Sequence, residues 1–420
     1  MNLLEIKLKP LDAYFFGGER NMRFEDNNHV QLAQRRPYFI SSNALPSQSA
    51  LFGALRYLGI ESPDASFGID GDVDNIGERS YDLTDLDRND YGRILNLSPL
   101  FLVCDDPKAQ THYLPAPRSR HSVELKDGKA DYMPFAQYTQ IQTIDGERWL
   151  PEEYNEKTAF DGADFICLET GKLRGDLISS QVRVGINRTI QNNDDTEEER
   201  KGFFNQVRVG INRTIQNNGD TKEERKGFFK KEYKVLDKDF SFLFYAAVSD
   251  GPVRFHSRPV FMGQGRTPFE AVVTRVSEMP RLKEGLCIFP THASIGKTDG
   301  ADQTPEAGIW LTSDLYYMGD IRDLKKNCDL MIAASRDYRT FTTRKKADQG
   351  RYEKGKEALR LIQAGGAFLF FGDEAAQRMK NFEKALEDRI ECKHARIAGF
   401  NHWIDSSGNA TWIVGDKKED

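Results

Sequence analysis

Apolar and polar positions change period along the chain, and those changes mark its elements. Leu4-Glu5-Ile6-Lys7-Leu8 alternates strictly and stops at Pro10, which predicts an opening strand with one buried face. Residues 12–20 carry Gly17-Gly18 beside charge and read as a turn, followed by an irregular connection rich in Asn and Arg up to Ser41-Ser42-Asn43. The period then lengthens. Leu51, Ala54, Leu55 and Leu58 fall on one helical face, with Ser47 placed as N-cap and Gly59 as the C′ residue. Residues 61–92 are acidic and Gly-rich, a surface excursion; 94–104 and 111–115 read as strands, and 125–180 as loop with short strands. Residues 233–236 and 240–248 are strongly β-prone, and the latter is apolar on both faces, as a central strand would be. Further on, 364–371 reads as a glycine-led strand, Asp373 as the cap of a helix with Met379, Phe382 and Leu386 on one face, and 394–404 as a last strand kinked at Gly399. Strands separated by single helices, without a long run of βαβ units, predict an α+β fold. Asp250-Gly251-Pro252 is the expected junction between an N-terminal domain, 1–250, and a C-terminal domain, 251–420.

One stretch repeats. QVRVGINRTIQNNDDTEEERKGFFN at 181–205 is followed at once by a second copy at 206–230 that differs only at Asp194/Gly219, Glu197/Lys222 and Asn205/Lys230. Each copy has a β-prone arm, a charge-dense middle and a Phe-Phe exit. The pattern predicts a surface hairpin, because two copies are too few for a stacked repeat array. The second exit, Phe228-Phe229-Lys230-Lys231, runs into the next strand, and its partner arm is 182–188 or 207–213; the residues do not choose between them. Loop closure grows costlier only slowly with length, so one unit is expected to be dispensable.

Composition narrows the functional classes. A net charge of −6 argues against coating nucleic acid by bulk electrostatics but leaves room for a local basic groove. The five scattered cysteines form no C-x-x-C pair, which suits a reducing cytoplasm and offers no zinc site. No long uncharged apolar run is present, so a soluble cytoplasmic protein is expected, without a membrane partner. The most basic stretch, 322–354, has ten Lys/Arg against five Asp/Glu and includes Arg336 and Arg339.

Catalytic chemistry finds little support. The seven histidines form no H-E-x-x-H and no chelating pair; His256, between Arg254 and Arg258, and His402, near Gly399, are the best candidates for acid–base cleavage of RNA. Asp105-Asp106 lacks a third acid for a metal, and Gly263-Gln264-Gly265-Arg266 is too short for a dinucleotide fingerprint. The expectation is no catalytic residue, no metal and no cofactor. What recurs is glycine beside a cation: Gly17-Gly18 with Arg20, Gly185 with Arg188, Gly210 with Arg213, and Gly263 and Gly265 with Arg266. Glycine admits a phosphate close to the backbone, and arginine supplies a forked, charge-assisted contact, which together point to single-stranded RNA.

The order of motifs carries a resemblance. KPLDAYFFGGER, SSNALPSQSALFGALR and NIGERSYDL, then RVGINR with KGFF and KKEYKVL, then RPVFMGQGR, AGGAFLFF and ARIAGFNHWI are similar to the third-subunit family of type III-B CRISPR (Cmr) effector complexes, members of the repeat-associated mysterious protein (RAMP) superfamily. The similarity covers most of the chain except 61–75, 120–180 and 281–308. It implies two ferredoxin-like (RRM-like) domains with long insertions and a β-hairpin thumb. The implied role is a non-catalytic scaffold that holds the 5′ tag of the crRNA beside the large polymerase/cyclase-like subunit and the neighbouring RAMP backbone subunits, meeting target RNA indirectly in antiviral defence. Carried onto this chain, it implies a tag-binding face of Gly17, Gly18, Arg20, Asn43, Gln48 and Arg56. A thumb bearing Arg183, Arg188, Arg208, Arg213, Lys230 and Lys231 would press on the crRNA, and Gly263, Gln264 and Arg266 would lie on the same groove. Two alternatives remain: a metal-independent crRNA-processing endoribonuclease of the same fold using His256, or the equivalent subunit of a type III-A complex.

Overall fold

The structure is a computed structural model. It describes residues 1–21, 38–61, 73–78, 90–106, 110–124, 130–134, 138–143, 146–151, 165–187, 227–251, 255–263, 266–282, 305–317, 319–339, 344–346, 352–354 and 358–412. The fold is mixed α/β, mostly sheet with few helices.

The alternation of Leu4, Ile6 and Leu8 forms the strand Asn2–Pro10, whose even positions from Asn2 to Leu8 are buried. It sits inside a nine-stranded sheet between Phe240–Val248 and Thr267–Val276, antiparallel to both. Phe240–Val248 is buried at every residue and pairs on its other side with Phe101–Cys104 and Ile94–Leu97, so its two-sided apolar character matches a central position. The helix Gln48–Leu58 lays Leu51, Leu55 and Leu58, all fully buried, against this sheet's inner face. Full burial of one such leucine is worth about 2 kcal/mol before entropy is counted. The Ser47 side chain makes no cap bond to the helix; its hydroxyl meets Ser49 Oγ at 3.0 Å. Gly59 ends the helix in a right-handed conformation.

The sheet does not stop at Asp250-Gly251-Pro252. Thr267–Val276 returns to pair with the opening strand from Leu3 to Pro10, and Val260–Met262 closes that edge. Asp250 and Gly251 therefore lie, in chain order, between strands of one sheet.

A second, four-stranded sheet runs Leu330–Ile332, Ala367–Phe370, Ala307–Leu311, Trp403–Asp405, with all neighbours antiparallel. In chain order these are its second, third, first and fourth strands. The centre of the first sheet repeats that order: Phe101–Cys104 (with Ile94–Leu97), Phe240–Val248, Asn2–Pro10, Thr267–Val276. The helix Ala375–Glu387 buries Met379, Phe382 and Leu386 as its period predicts, but its N-cap is Glu374 rather than Asp373. The last expected strand also differs. Ile390–Ile397 is helix, and only Trp403–Asp405 is strand, because Gly399 (φ +88°) and Asn401 (φ +60°) turn the chain between them.

The two sheets share a core. Phe101, Leu243 and Tyr245 from the first pack with Trp310, Leu369 and Ile404 from the second and with Trp412 beyond its last strand. His402 is fully buried at this junction and donates from Nε2 to the Leu97 carbonyl at 2.7 Å.

A smaller side sheet orders Ile178–Asn187, Gly227–Leu236, Tyr38–Asn43 and Phe16–Asn21. Two expectations change here. Gly17-Gly18 lies within a strand that carries a bulge between Gly17 and Arg20, not in a turn, and residues 38–43 are strand rather than irregular connection. No described helix is long and apolar enough to cross a membrane.

Candidate nucleic-acid interface

The side sheet gathers the predicted RNA-binding residues by register. Arg183 stands opposite Lys231, Lys231 opposite Ile40, and Ile40 opposite Arg20, so three cations occupy one row across four strands. Strands are spaced about 4.8 Å apart, and the row therefore spans about 14 Å. In the next row Lys230 lies between Val184 and Phe39. The hairpin is made of the first copy's arm and the second copy's exit: Asn187 pairs with Gly227, Gly185 with Phe229, Val184 with Lys230. Arg188, Arg208 and Arg213 lie outside the described residues, as does Gln264.

Aromatic rings hold the row's centre. Lys231 is buried, with Nζ 3.7 Å from the Phe15 ring centroid and 4.9 Å from that of Tyr233. The Arg183 guanidinium lies over the Tyr233 ring, 4.7 Å from its centroid. Burial pushes the Lys231 amine below its ordinary pKa, and no described carboxylate forms an ion pair with it. Arg183 donates to Gln181 Oε1 at 3.2 Å and lies 3.6 Å from the Asp12 carboxylate.

The Gly263 turn is fitted against the same edge. Gly263 has φ +74°, and a Cβ there would lie 2.3 Å from the Phe15 carbonyl oxygen, so glycine is what permits the close approach. Arg266, also left-handed at φ +48°, closes the turn through its N–H to the Gly263 carbonyl at 3.2 Å, and its side chain is exposed. Thr267 Oγ1 donates to the Ala13 carbonyl at 3.4 Å. The turn thus packs against the buried 13–16 backbone and leads to exposed Gly17 and half-buried Asn43, whose Nδ2 donates to the Gly17 carbonyl at 2.9 Å. Gly18 and Arg20 continue that strand.

Two residues of the expected tag-binding face are elsewhere. Gln48 is buried beneath Gly399, whose added Cβ would lie 2.6 Å from Gln48 Oε1. Arg56 turns inward, donating from Nε to the Ile76 carbonyl at 3.0 Å and from its terminal nitrogen to Gly77 and Glu78 carbonyls. Arg56 ties the helix Gln48–Leu58 to residues 76–78, whereas Gln48 Oε1 is buried without a hydrogen-bond partner among the described residues. Arg336 and Arg339 sit on the strand Ser335–Arg339, paired with Ala358–Ile362 in another sheet.

The alternatives for chemistry narrow as well. Desolvation drives the His402 imidazole down to about 3, so it is neutral and committed to Leu97 rather than available as an acid. His256 is exposed, and among the described residues its ring makes no hydrogen bond. Its neighbour Arg258 donates to the Tyr57 and Ile60 carbonyls, closing the end of the helix. Asp105 is bound by Lys7 at 2.5 Å, Lys9 at 2.6 Å and Ser241 at 2.9 Å, which occupies the carboxylate that a metal would need. Among the described residues no group of three His, Cys, Asp or Glu is placed to hold a metal ion. The aromatic clamp on Lys231 carries no sequence signal of its own; Phe15 lies two residues before the Gly-Gly pair and shows its role only once the sheet is formed.

No family model matches this chain, and no curated protein does. Among solved structures, it is similar to a chain of the "Cryo-EM structure of the Type III-B Cmr-beta bound to cognate target RNA", with a TM-score of 0.44 and 12% identity over 95% of this chain and 96% of that one. A chain of the same assembly bound to cognate target RNA and AMPPnP, state 1, gives a TM-score of 0.41 and 11% identity over 95% and 96%. Likeness of that degree decides neither the fold nor the role.

Proposed function

We propose that this protein is a non-catalytic RNA-binding scaffold subunit of a type III-B CRISPR effector complex, holding the 5′ tag of the crRNA and docking the large polymerase/cyclase-like subunit. The observation that carries the reading is the row Arg183–Lys231–Ile40–Arg20, bordered by the Gly263–Arg266 turn that is seated against Phe15. Exposed Arg183 and Arg266 beside the exposed backbone of Gly17 and Gly263 suit phosphates of a flexible single strand, with positioning by charge rather than by base edges. The ordered resemblance of motifs supplies the complex and the tag; the sheet supplies the surface that meets RNA. The repeated strand order supports two ferredoxin-like units, the first ending near Val276 and the second beginning near Ala307.

The test is reconstitution. Purified protein is mixed with its large subunit and with guide RNA carrying either the native 5′ repeat tag or a scrambled tag of equal length. Native-tag RNA is expected to be retained on the two-subunit complex at lower protein concentration. Equal retention of both RNAs would remove the tag from the proposal, and cleavage of either by the protein alone would remove the word scaffold.

A further inference from the structure

One edge of the nine-stranded sheet ends in an aromatic that faces water. Val260–Met262 is the outermost strand there; Val260 and Met262 are buried, and Phe261 between them is 64% exposed. A phenylalanine carries a large apolar surface, and a sheet edge is where leaving one exposed most invites unwanted pairing.

Register sets Phe261 in an apolar row. It stands opposite Pro268, and the Pro268 carbonyl accepts from the Leu11 N–H at 3.0 Å on the other side. Leu11 is 59% exposed, so Phe261 and Leu11 flank half-buried Pro268, two strand spacings or about 10 Å apart. Each end of the row leads to an exposed arginine. Phe261 runs into the Gly263–Arg266 turn, and Leu11 runs into Asp12, whose carboxylate is 3.6 Å from Arg183. A second carboxylate, Glu270, is exposed opposite Lys9, two residues further from the turn than Pro268. Asp12 is matched by Arg183, and Glu270 stands away from the turn, so the side of Phe261 that attracts an anion is the side of Gly263 and Arg266.

We propose that Phe261 is a stacking platform for an unpaired nucleobase of single-stranded RNA, whose phosphate lies at Arg266 and the exposed Gly263 backbone. The inference rests on the RNA reading above and adds to it a contact with a base. A ring bordered by a cation matches a strand that alternates charged phosphate with flat base, and it takes any base, because every base has a π-face.

The experiment compares two labelled probes by fluorescence anisotropy with the full-length protein: an oligouridylate, and an abasic ribose–phosphate strand of equal length, which keeps every phosphate and lacks every base. The parent should bind the oligouridylate more tightly. Phe261→Leu should weaken that binding by about tenfold, leave the abasic strand within about twofold of the parent, and leave the salt slope on both strands unchanged. Phe261→Trp should bind the oligouridylate at least as tightly as the parent. Thermal melts matching the parent's establish that the variants fold, as expected at so exposed a position. Equal weakening on both strands, or no weakening by Phe261→Leu, would overturn the platform and leave the RNA reading standing on the parent's own binding; a parent that binds neither strand would overturn both. If Phe261→Leu lowers the mass measured by light scattering and spares the oligouridylate affinity, the edge is a contact between copies of the chain and the proposal falls.

Discussion

At the residue scale, the side chains with altered acid–base behaviour lie mostly away from the RNA candidates and report on the fold. Glu383 is pushed up to about 7, first by burial and then by Asp405 and Glu387, although the Trp403 indole N–H donates to its Oε1 at 2.8 Å. A carboxyl whose folded pKa lies above its unfolded value of 4.5 contributes stability that is complete below 4.5 and lost as pH rises through about 7. Glu383→Gln keeps the acceptor for Trp403 and removes the charge. The substituted protein should therefore gain stability relative to the parent between pH 5 and about 8, and thermal melts across that range should show its advantage growing with pH. The same scale shows what a sequence leaves open at Gln48 and Arg56: a polar residue on a helix gives no sign of where its side chain will end, and here Arg56 meets the Ile76 carbonyl while Gln48 is buried beneath Gly399.

At the element scale, legibility followed burial. The strict alternation of Leu4, Ile6 and Leu8, the two-sided apolar run Phe240–Val248 and the 3.6-residue period from Leu51 to Leu58 all formed the elements they predict. Each has a core face that fixes its period. The Gly17-Gly18 strand and the strand Tyr38–Asn43 carry little such pattern, since their order comes from cross-strand partners distant in sequence. The helix Ile390–Ile397 was equally hidden: its eight residues, IECKHARI, bury Cys392 and Ala395 but present no long apolar stripe. The duplicated stretch was legible as a hairpin, while the choice of arm had to come from the register. That register makes a definite prediction. Deleting residues 188–212 joins Asn187 to Arg213 and leaves every observed pair with Gly227–Leu236 available. The shortened protein should melt at or slightly above the parent temperature, because the closing loop is shorter by one unit. A fall of about 5 °C or more would mean that the hairpin depends on the second copy for its stability.

At the scale of the whole molecule, two sheets with the same strand order share one core through Phe101, Tyr245, Trp310 and Trp412, and His402 fastens them at Leu97. The first sheet takes in Thr267–Val276, which follows the expected junction in the chain and pairs with the opening strand. The side sheet brings Arg183, Lys231 and Arg20 into one row by register although the chain's net charge is −6. The central claim is that this surface grips the RNA backbone. It is tested most directly by the salt dependence of binding to single-stranded tag RNA, comparing the parent with Arg20→Ala/Arg266→Ala, both outside the duplicated unit. Fluorescence anisotropy should show weaker binding in the double variant and a slope of log affinity against log salt shallower by about 1.4, about 0.7 for each phosphate that the missing arginines no longer neutralise. An unchanged affinity and an unchanged slope would contradict it.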